Sequence, residues 1–190
     1  VAHCTFQLRG AESDEDEVLV REEAARCGVP FYNRRFETAA EMERTGESME
    51  MAARRLRYAW FDELSHAEGY TAVAIAHHAD DSIETFFINL LRGTGLRGLT
   101  GISIQVGKVV RPLLFASRRE ILEYAAANHI PYREDSSNRS TKYLRNKIRL
   151  GLIPRIREIN PKFTSLMCRN LARLTDAQLF INHGIERIPS

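Results

Sequence analysis

Thr71-Ala72-Val73-Ala74-Ile75-Ala76, running directly into His77-His78-Ala79-Asp80-Asp81-Ser82-Ile83-Glu84-Thr85, is the stretch on which the fold turns. The first six residues carry no charge, the signature of a strand buried on both faces. From Asp80 the pattern changes to that of a helix, with acids in its first turn where they complement the helix dipole, and it continues to about Arg92. Upstream the same alternation appears twice. Residues 1–8 read as a short strand, and residues 14–27 as a helix that Gly28 stops, with Val18, Leu19, Glu22 and Ala25 at helical spacing. Residues 29–36 read as a second strand. Ser48 then caps a long helix to about His66, whose apolar stripe is Met49, Ala52, Ala53, Leu56, Trp60 and Leu64. This order predicts an α/β fold: a doubly wound, mostly parallel sheet with helices on both faces. In such sheets ligands sit beyond the carboxyl ends of the strands, where the segments beginning at His3 and His77 are expected to fall.

Beyond Arg92 the chain is less regular. Residues 92–101 hold four glycines and read as a loop, and residues 108–114 as a strand ending near Pro112. Ser117, with Glu120 three residues on, forms a capping box that opens a helix to Asn128. Residues 134–141 are polar and irregular, residues 143–157 basic, and residues 162–183 a last amphipathic helix. The expected division is a domain over residues 1–150 and a helical extension over 151–190.

Composition excludes some classes. The 190 residues are 44% hydrophobic and 27% charged, with a formal net charge of +2, so a polyanion partner would need a local patch rather than bulk charge. Cys4, Cys27 and Cys168 are odd in number and form no CxxC pair, which speaks against a zinc ribbon or a redox motif and for reduced thiols in a cytoplasm. No run approaches the ~18 apolar residues a membrane helix needs, so no membrane partner is expected.

Several constellations could carry chemistry. Asp81 and Glu84, at i and i+3, share a helix face and could hold Mg²⁺ against phosphates or act as acid and base, although Asp-x-x-Glu at a helix start is also a cap. His77, His78, Asp80 and Asp81 could suggest a transition-metal phosphohydrolase, against which adjacent residues at a strand end point apart. Arg92-Gly93-Thr94-Gly95-Leu96-Arg97-Gly98 could approach phosphate closely, and Gly93 could equally be a helix cap. Arg145, Lys147 and Arg149, with Lys142 nearby, suit a phosphate backbone, and Tyr143 could stack on a base; a solvated basic face is the alternative. Arg54 and Arg57 share a face and could reach an anion, or merely stabilise their helix through pairs such as Glu50–Arg54.

Taken in order and spacing, seven segments resemble one family. They are His3…Leu8-Arg9-Gly10, Glu50…Ala53-Arg54…Arg57-Tyr58, His78-x-Asp80-Asp81-x-x-Glu84-Thr85 and Arg92-Gly93-Thr94-Gly95…Gly98-Leu99, then Arg111-Pro112-Leu113-Leu114, Glu134-Asp135-Ser136-Ser137-Asn138 and Arg145-Asn146-x-x-Arg149. They resemble the tRNA(Ile)-lysidine synthetases of the N-type ATP pyrophosphatase (PP-loop) superfamily. The resemblance implies an adenine nucleotide alpha-hydrolase-like fold with ATP and Mg²⁺ as cofactors. It also implies a ligase that joins lysine to C2 of the wobble cytidine of an isoleucine tRNA with a CAU anticodon. Partners would be that tRNA and free L-lysine, with a homodimer left open. Asp81, Glu84 and Arg92 would be catalytic, with Asp81 and Glu84 as the metal's residues. His3, His78, Arg92 and Arg145 would face ATP or its phosphates. Arg54, Arg57, Arg145 and Arg149 would face tRNA.

The chain departs from the family's pattern in three places. Ser82 stands where glutamine is usual, and Thr5-Phe6-Gln7 where a second histidine is common. The superfamily's Ser-Gly-Gly-x-Asp-Ser loop occurs nowhere in the sequence. With Val1 rather than methionine at its start, the chain is expected to be a fragment that is inactive alone. A sister PP-loop thiolase and a non-catalytic RNA-binding domain are the competing readings.

Overall fold

The computed structural model describes residues 1–6, 11–134 and 144–186. Within it the chain forms two compact units, Val1–Val73 with Pro131–Arg133, and Ala74–Ile130 with Glu134–Ser190. This spatial division follows a different cut from the one at residue 150 drawn on the sequence. The Leu8-Arg9-Gly10 motif, the run Asp135 to Asn138, Lys142 and Tyr143 lie outside the described residues.

The first unit opens with a βαβ motif. Strands β1 (Ala2–Thr5) and β2 (Tyr32–Arg35) pair in parallel, Ala2 opposite Tyr32 and Thr5 opposite Arg35, joined through helix α1 (Ala11–Arg26). Parallel strands require such a crossover. Helix α2 (Thr38–Thr45) was not anticipated, because its eight residues carry too few apolar side chains to show a stripe. It is tied down instead by the buried Thr38, whose hydroxyl donates to the Phe6 carbonyl at 3.1 Å. Helix α3 (Met49–Ala67) starts as expected, with the Ser48 hydroxyl accepting from the Met51 N–H. Its buried Ala52 and Trp60 face an aromatic chain, Phe6 stacked on Phe36 at 5.3 Å and Phe36 edge-on to Trp60 at 6.2 Å.

The expected strand over residues 71–76 shrinks to β3 (Val73–Ala74), where the first unit ends and the second begins along the chain. It is not buried on both faces: Val73 and Ile75 are half-buried, while Ala74 and Ala76 are exposed. The run is apolar because it is alanine-rich, and alanine contributes little to burial on either face. Its pairing continues through the Ile75 N–H, which donates to the Val110 carbonyl at 2.9 Å. Strands β4 (Gln105–Val106) and β5 (Val109–Val110) form an antiparallel hairpin, and the sheet order is β3-β5-β4. The strand expected over 108–114 ends at Val110 because Pro112 has no N–H to give a ladder.

Helix α4 (Ala79–Arg92) is the axis of this unit. Its Ile83 and Ile88 pack with Ile148, Ile153, Met167 and Leu171 in one buried cluster, flanked by Phe86, Phe87 and Phe163. The partners come from a π turn (Ile148–Leu152), which follows helix α6 (Leu144–Lys147), and from helix α7 (Ile153–Ile159) and helix α8 (Phe163–Glu186). The π turn has a cause in the sequence. Pro154 cannot donate to the Leu150 carbonyl, and its ring crowds that oxygen, so the helix widens and the Ile153 N–H reaches the Ile148 carbonyl. Helix α5 (Arg118–Ala127) opens with the capping box read from the sequence: the Ser117 N–H donates to Glu120 at 2.8 Å, and the Ser117 hydroxyl accepts from the Glu120 N–H.

Candidate active site

Two acids at the start of α4 meet an arginine from the π turn. Asp81 accepts the His78 N–H at 3.0 Å through one carboxylate oxygen, which fixes it at the helix entrance. One turn on, Glu84 is 1% exposed, next to the fully buried Ile83. A carboxylate there needs a partner. Arg149 supplies it with two bonds, Nε to Oε1 at 2.6 Å and Nη2 to Oε2 at 2.9 Å, and its Nη2 also reaches Asp81 at 3.4 Å. The hydrogen bonds that Arg149 donates to Glu84 raise its guanidinium above its already high ordinary pKa, and burial only partly opposes them. Arg145 stands one helical turn before Arg149. Its Nε lies 3.8 Å from Glu84, and its Nη2 donates to the Thr85 hydroxyl at 3.4 Å. That hydroxyl in turn donates to the Asp81 carbonyl at 2.8 Å.

The neighbouring Asp80 has a different set of contacts. One oxygen accepts the Arg118 backbone N–H at 2.7 Å, at the entrance of α5, and the other accepts Arg157 Nη2 at 2.5 Å, from α7. Arg157 also donates to the Thr164 hydroxyl at 3.1 Å. Thus Asp80 pins three elements around the site, while Asp81 and Glu84 face Arg149. Between Asp80 and Asp81 lies the His78 ring. Its Nδ1 is buried without a hydrogen-bond partner among the described residues, 3.5 Å from Asp81 and 3.9 Å from Asp80. His77 has its own role: its Nδ1 accepts from the buried Arg111, whose Nη1 donates to the Ser103 carbonyl.

Beside these groups lies a cavity of about 1020 Å³ whose lining includes His78, Asp80, Glu84, Arg149 and Arg157. Its walls are completed by residues the sequence reading left out, Phe115, Arg118, Arg119, Lys162 and Cys168 among them. Burial pushes the Cys168 thiol pKa up, which makes it a poor nucleophile.

The structure brings together Asp81, Glu84, Arg145, Arg149 and His78. It does not bring Arg92 to them: Arg92 is exposed at the far end of α4, eight residues beyond Glu84 and so about 12 Å along the axis. His3, Arg54 and Arg57 belong to the first unit. His3 lies inside β1, where burial lowers its pKa and the nearby Glu17 and Asp16 partly restore it. Arg57 sits over the Phe6 ring at 5.1 Å, and Arg54 over Tyr58 at 4.8 Å. The Cys4 thiol, hydrogen-bonded to Arg57, is nevertheless pushed up to about 11 by burial. Among the described residues no group of three or more His, Cys, Asp or Glu side chains is arranged to hold a metal ion; His77 faces Arg111, and Asp80 faces Arg118 and Arg157. For Mg²⁺ the fit is poor as well, because the space between Asp81 and Glu84 is filled by a guanidinium.

Residues 1–156 match the model of the PP-loop domain. This chain belongs to the PP-loop domain family. The PP-loop domain is ATP-utilising, and the α/β class read from the sequence stands with it. The chain is 44% identical over 185 residues to the tRNA(Ile)-lysidine synthase of Parabacteroides distasonis, covering 97% of this chain and 42% of that protein. It is 43% identical over 192 residues to the tRNA(Ile)-lysidine synthase of Chlorobaculum tepidum, covering 99% of this chain and 57% of that one. The chain therefore spans about half the length of the curated relatives it matches. Among solved structures, the U34-tRNA thiolase NcsA of Methanococcus maripaludis superposes with a TM-score of 0.72 over 92% of this chain and 61% of that one. At 15% identity this likeness concerns the PP-loop fold alone.

Proposed function

We propose that this PP-loop domain, in the natural full-length protein, carries out the ATP-dependent attachment of lysine to the wobble cytidine of an isoleucine tRNA with a CAU anticodon. The observation that carries the reading is the Glu84–Arg149–Asp81 cluster, formed by residues of two motifs shared with that family, with Glu84 and Arg149 lining a cavity large enough for an amino acid beside a nucleotide. The identity to proteins named tRNA(Ile)-lysidine synthase over nearly the whole chain supports it.

The chemistry proceeds in two displacements. The O2 atom of cytidine attacks the α-phosphate of ATP, a P–O bond forms, and pyrophosphate leaves. The ε-amine of lysine then attacks C2, and the C2–O bond breaks with AMP as the leaving group. The amine must arrive without its extra proton and lose another as the product forms. We assign to Asp81 and Glu84 the attraction of the lysine ammonium, with Asp81, which Arg149 touches only at 3.4 Å, taking up the proton. Arg149 holds both acids in place, and Arg145 offers charge to a phosphate. Mg²⁺ would be held by the phosphates of ATP and would offset their charge, since Asp81 and Glu84 already face Arg149. Arg92, His3, His78, Arg54 and Arg57 remain proposed contacts to ATP or tRNA, and the protein works in the cytoplasm on free L-lysine.

The test is mass spectrometry of a CAU-anticodon isoleucine tRNA after incubation with the natural full-length protein, ATP, Mg²⁺ and lysine. The reading expects lysine added at the wobble cytidine and one AMP released per tRNA modified. Unmodified RNA with an active, folded protein would overturn it.

A further inference from the structure

The cavity beside Glu84 has a rim that the reaction described above does not use. Phe115 is among its lining residues and is 84% exposed, a large aromatic side chain held in water. Among the described residues it makes no ring–ring or cation–π contact. Its position is fixed by its neighbours rather than by its own packing. The Ala116 N–H donates to the Leu113 carbonyl at 3.0 Å, and the Ala116 carbonyl accepts the Ala79 N–H at 2.9 Å. The turn that carries Phe115 is thereby tied to the entrance of α4, next to Asp80 and Asp81.

The charges of the same cavity are mostly spent. Arg149 faces Glu84, Arg157 faces Asp80, Arg118 pairs with Glu134 at 3.3 Å, and Arg119 with Glu123 at 3.7 Å. Glu120 is engaged by Ser117. Lys162 is the lining cation with no acidic partner among the described residues. An exposed aromatic ring and an ammonium lining the same cavity match the two halves of a nucleotide, a base with a π face and a phosphate.

We propose that Phe115 and Lys162 form a nucleotide-holding site for single-stranded RNA, the base stacking on Phe115 and its phosphate meeting Lys162. This presents the nucleotide to the Glu84–Arg149 cluster. The inference rests on the proposed tRNA-modifying function for the identity of the RNA, but its geometry stands on the cavity alone. Phe115 is a positioning residue here, since it touches the base and not the bond that changes.

The experiment uses the natural full-length protein and an unmodified RNA stem-loop with a CAU loop. Binding is followed through the indole introduced by Phe115→Trp, with the unsubstituted protein and its Trp60 as the baseline. The proposal expects the added fluorescence to be quenched on RNA binding. Phe115→Ala should weaken RNA affinity roughly tenfold and Lys162→Ala should make binding less sensitive to salt, with ATP affinity unchanged in both. Phe115→Trp should keep normal affinity, as a merely structural role for Phe115 would not require. Equal RNA affinity of Phe115→Ala and the unsubstituted protein, or no quenching in Phe115→Trp, would overturn the site. Lysidine formation measured in parallel separates the two ideas: modification that persists while Phe115→Ala binds RNA normally removes the site and keeps the function. RNA binding and quenching without modification remove the function and keep the site. No RNA binding by the unsubstituted protein removes the site.

Discussion

Arg149 grips Glu84 through both carboxylate oxygens, at 2.6 and 2.9 Å, with Glu84 almost wholly buried in the helix that begins at the candidate active site. Two charges are held there out of water, and each depends on the other. Removing one partner of a buried pair leaves the second uncompensated, at a cost of about 3–5 kcal/mol. Arg149→Ala should therefore lower stability by about 3 kcal/mol, since the arginine itself is only partly buried. Arg149→Lys should recover part of the loss but not the two-point grip. Urea unfolding of the three proteins checks this; equal midpoints would show the pair to be energetically idle.

The same relationship changes what an acid-to-alanine variant would do. From helix spacing alone, Asp81→Ala and Glu84→Ala are both expected to stop lysine transfer without harm to the fold. With Arg149 seated on Glu84, Glu84→Ala should also destabilise the domain by several kcal/mol. Asp81→Ala, which loses the His78 N–H cap and a 3.4 Å contact with Arg149, should cost less, about 1–2 kcal/mol. Thermal melting of the two variants side by side tests the asymmetry, and a larger loss in Asp81→Ala would contradict it.

Asp80 is expected to behave differently from its neighbour. It joins the entrances of α4 and α5 to α7 through Arg118 and Arg157, so Asp80→Ala and Arg157→Ala should each lower stability. Their effects should not add, because they share one contact. A double-mutant cycle in unfolding free energy reads this directly. Fully additive losses would mean the Asp80–Arg157 pair contributes nothing as a pair.

Gly101 carries a backbone requirement and a space requirement at once. Its φ is +76°, and a Cβ there would lie 2.3 Å from the Ser82 hydroxyl oxygen. That hydroxyl accepts the Ile102 N–H at 2.9 Å, which closes the loop after α4 onto the helix. Gly101→Ala should cost upwards of ~1 kcal/mol. Combining it with Ser82→Ala should not restore stability, because the positive φ remains. Recovery in the double variant would show that crowding alone was responsible.

His3 gives a pH dependence with a definite sign. Burial lowers its pKa below 6.5, so the folded state binds its proton less readily than the unfolded chain does. Stability from this group is complete above about pH 6.5 and declines as pH falls from there toward the folded value. Replacing it with an uncharged residue, as in His3→Gln, should flatten the unfolding free energy between pH 7 and 5.5. An unchanged slope would assign that dependence to other groups.

Much of this was legible in the sequence, and the failures have causes. The Ser48 cap and the Ser117–Glu120 box were readable because local side-chain-to-backbone bonds write themselves into a few consecutive residues. Asp81 and Glu84 were readable as one helix face for the same reason. Arg149 was read as a tRNA contact and not as the partner of Glu84, because 65 residues separate them and only tertiary packing joins them. The π turn that carries Arg149 was missed, although Pro154 was its visible cause. Residues 71–76 looked doubly buried because alanine is apolar, yet Ala74 and Ala76 are exposed. Phe115 and Lys162 offered no motif at all: a cavity rim is assembled from separate elements and has no linear signature.

The most direct measurement is transfer of labelled lysine to a CAU-anticodon isoleucine tRNA by the natural full-length protein and by its Glu84→Gln variant, each first shown to be folded and to bind the RNA equally. Glutamine keeps the size of the side chain and removes its charge. Incorporation by the unsubstituted protein, with a loss of at least about a hundredfold in Glu84→Gln, is the predicted result. Equal incorporation by both would contradict the assignment of the Glu84–Arg149 cluster to the reaction.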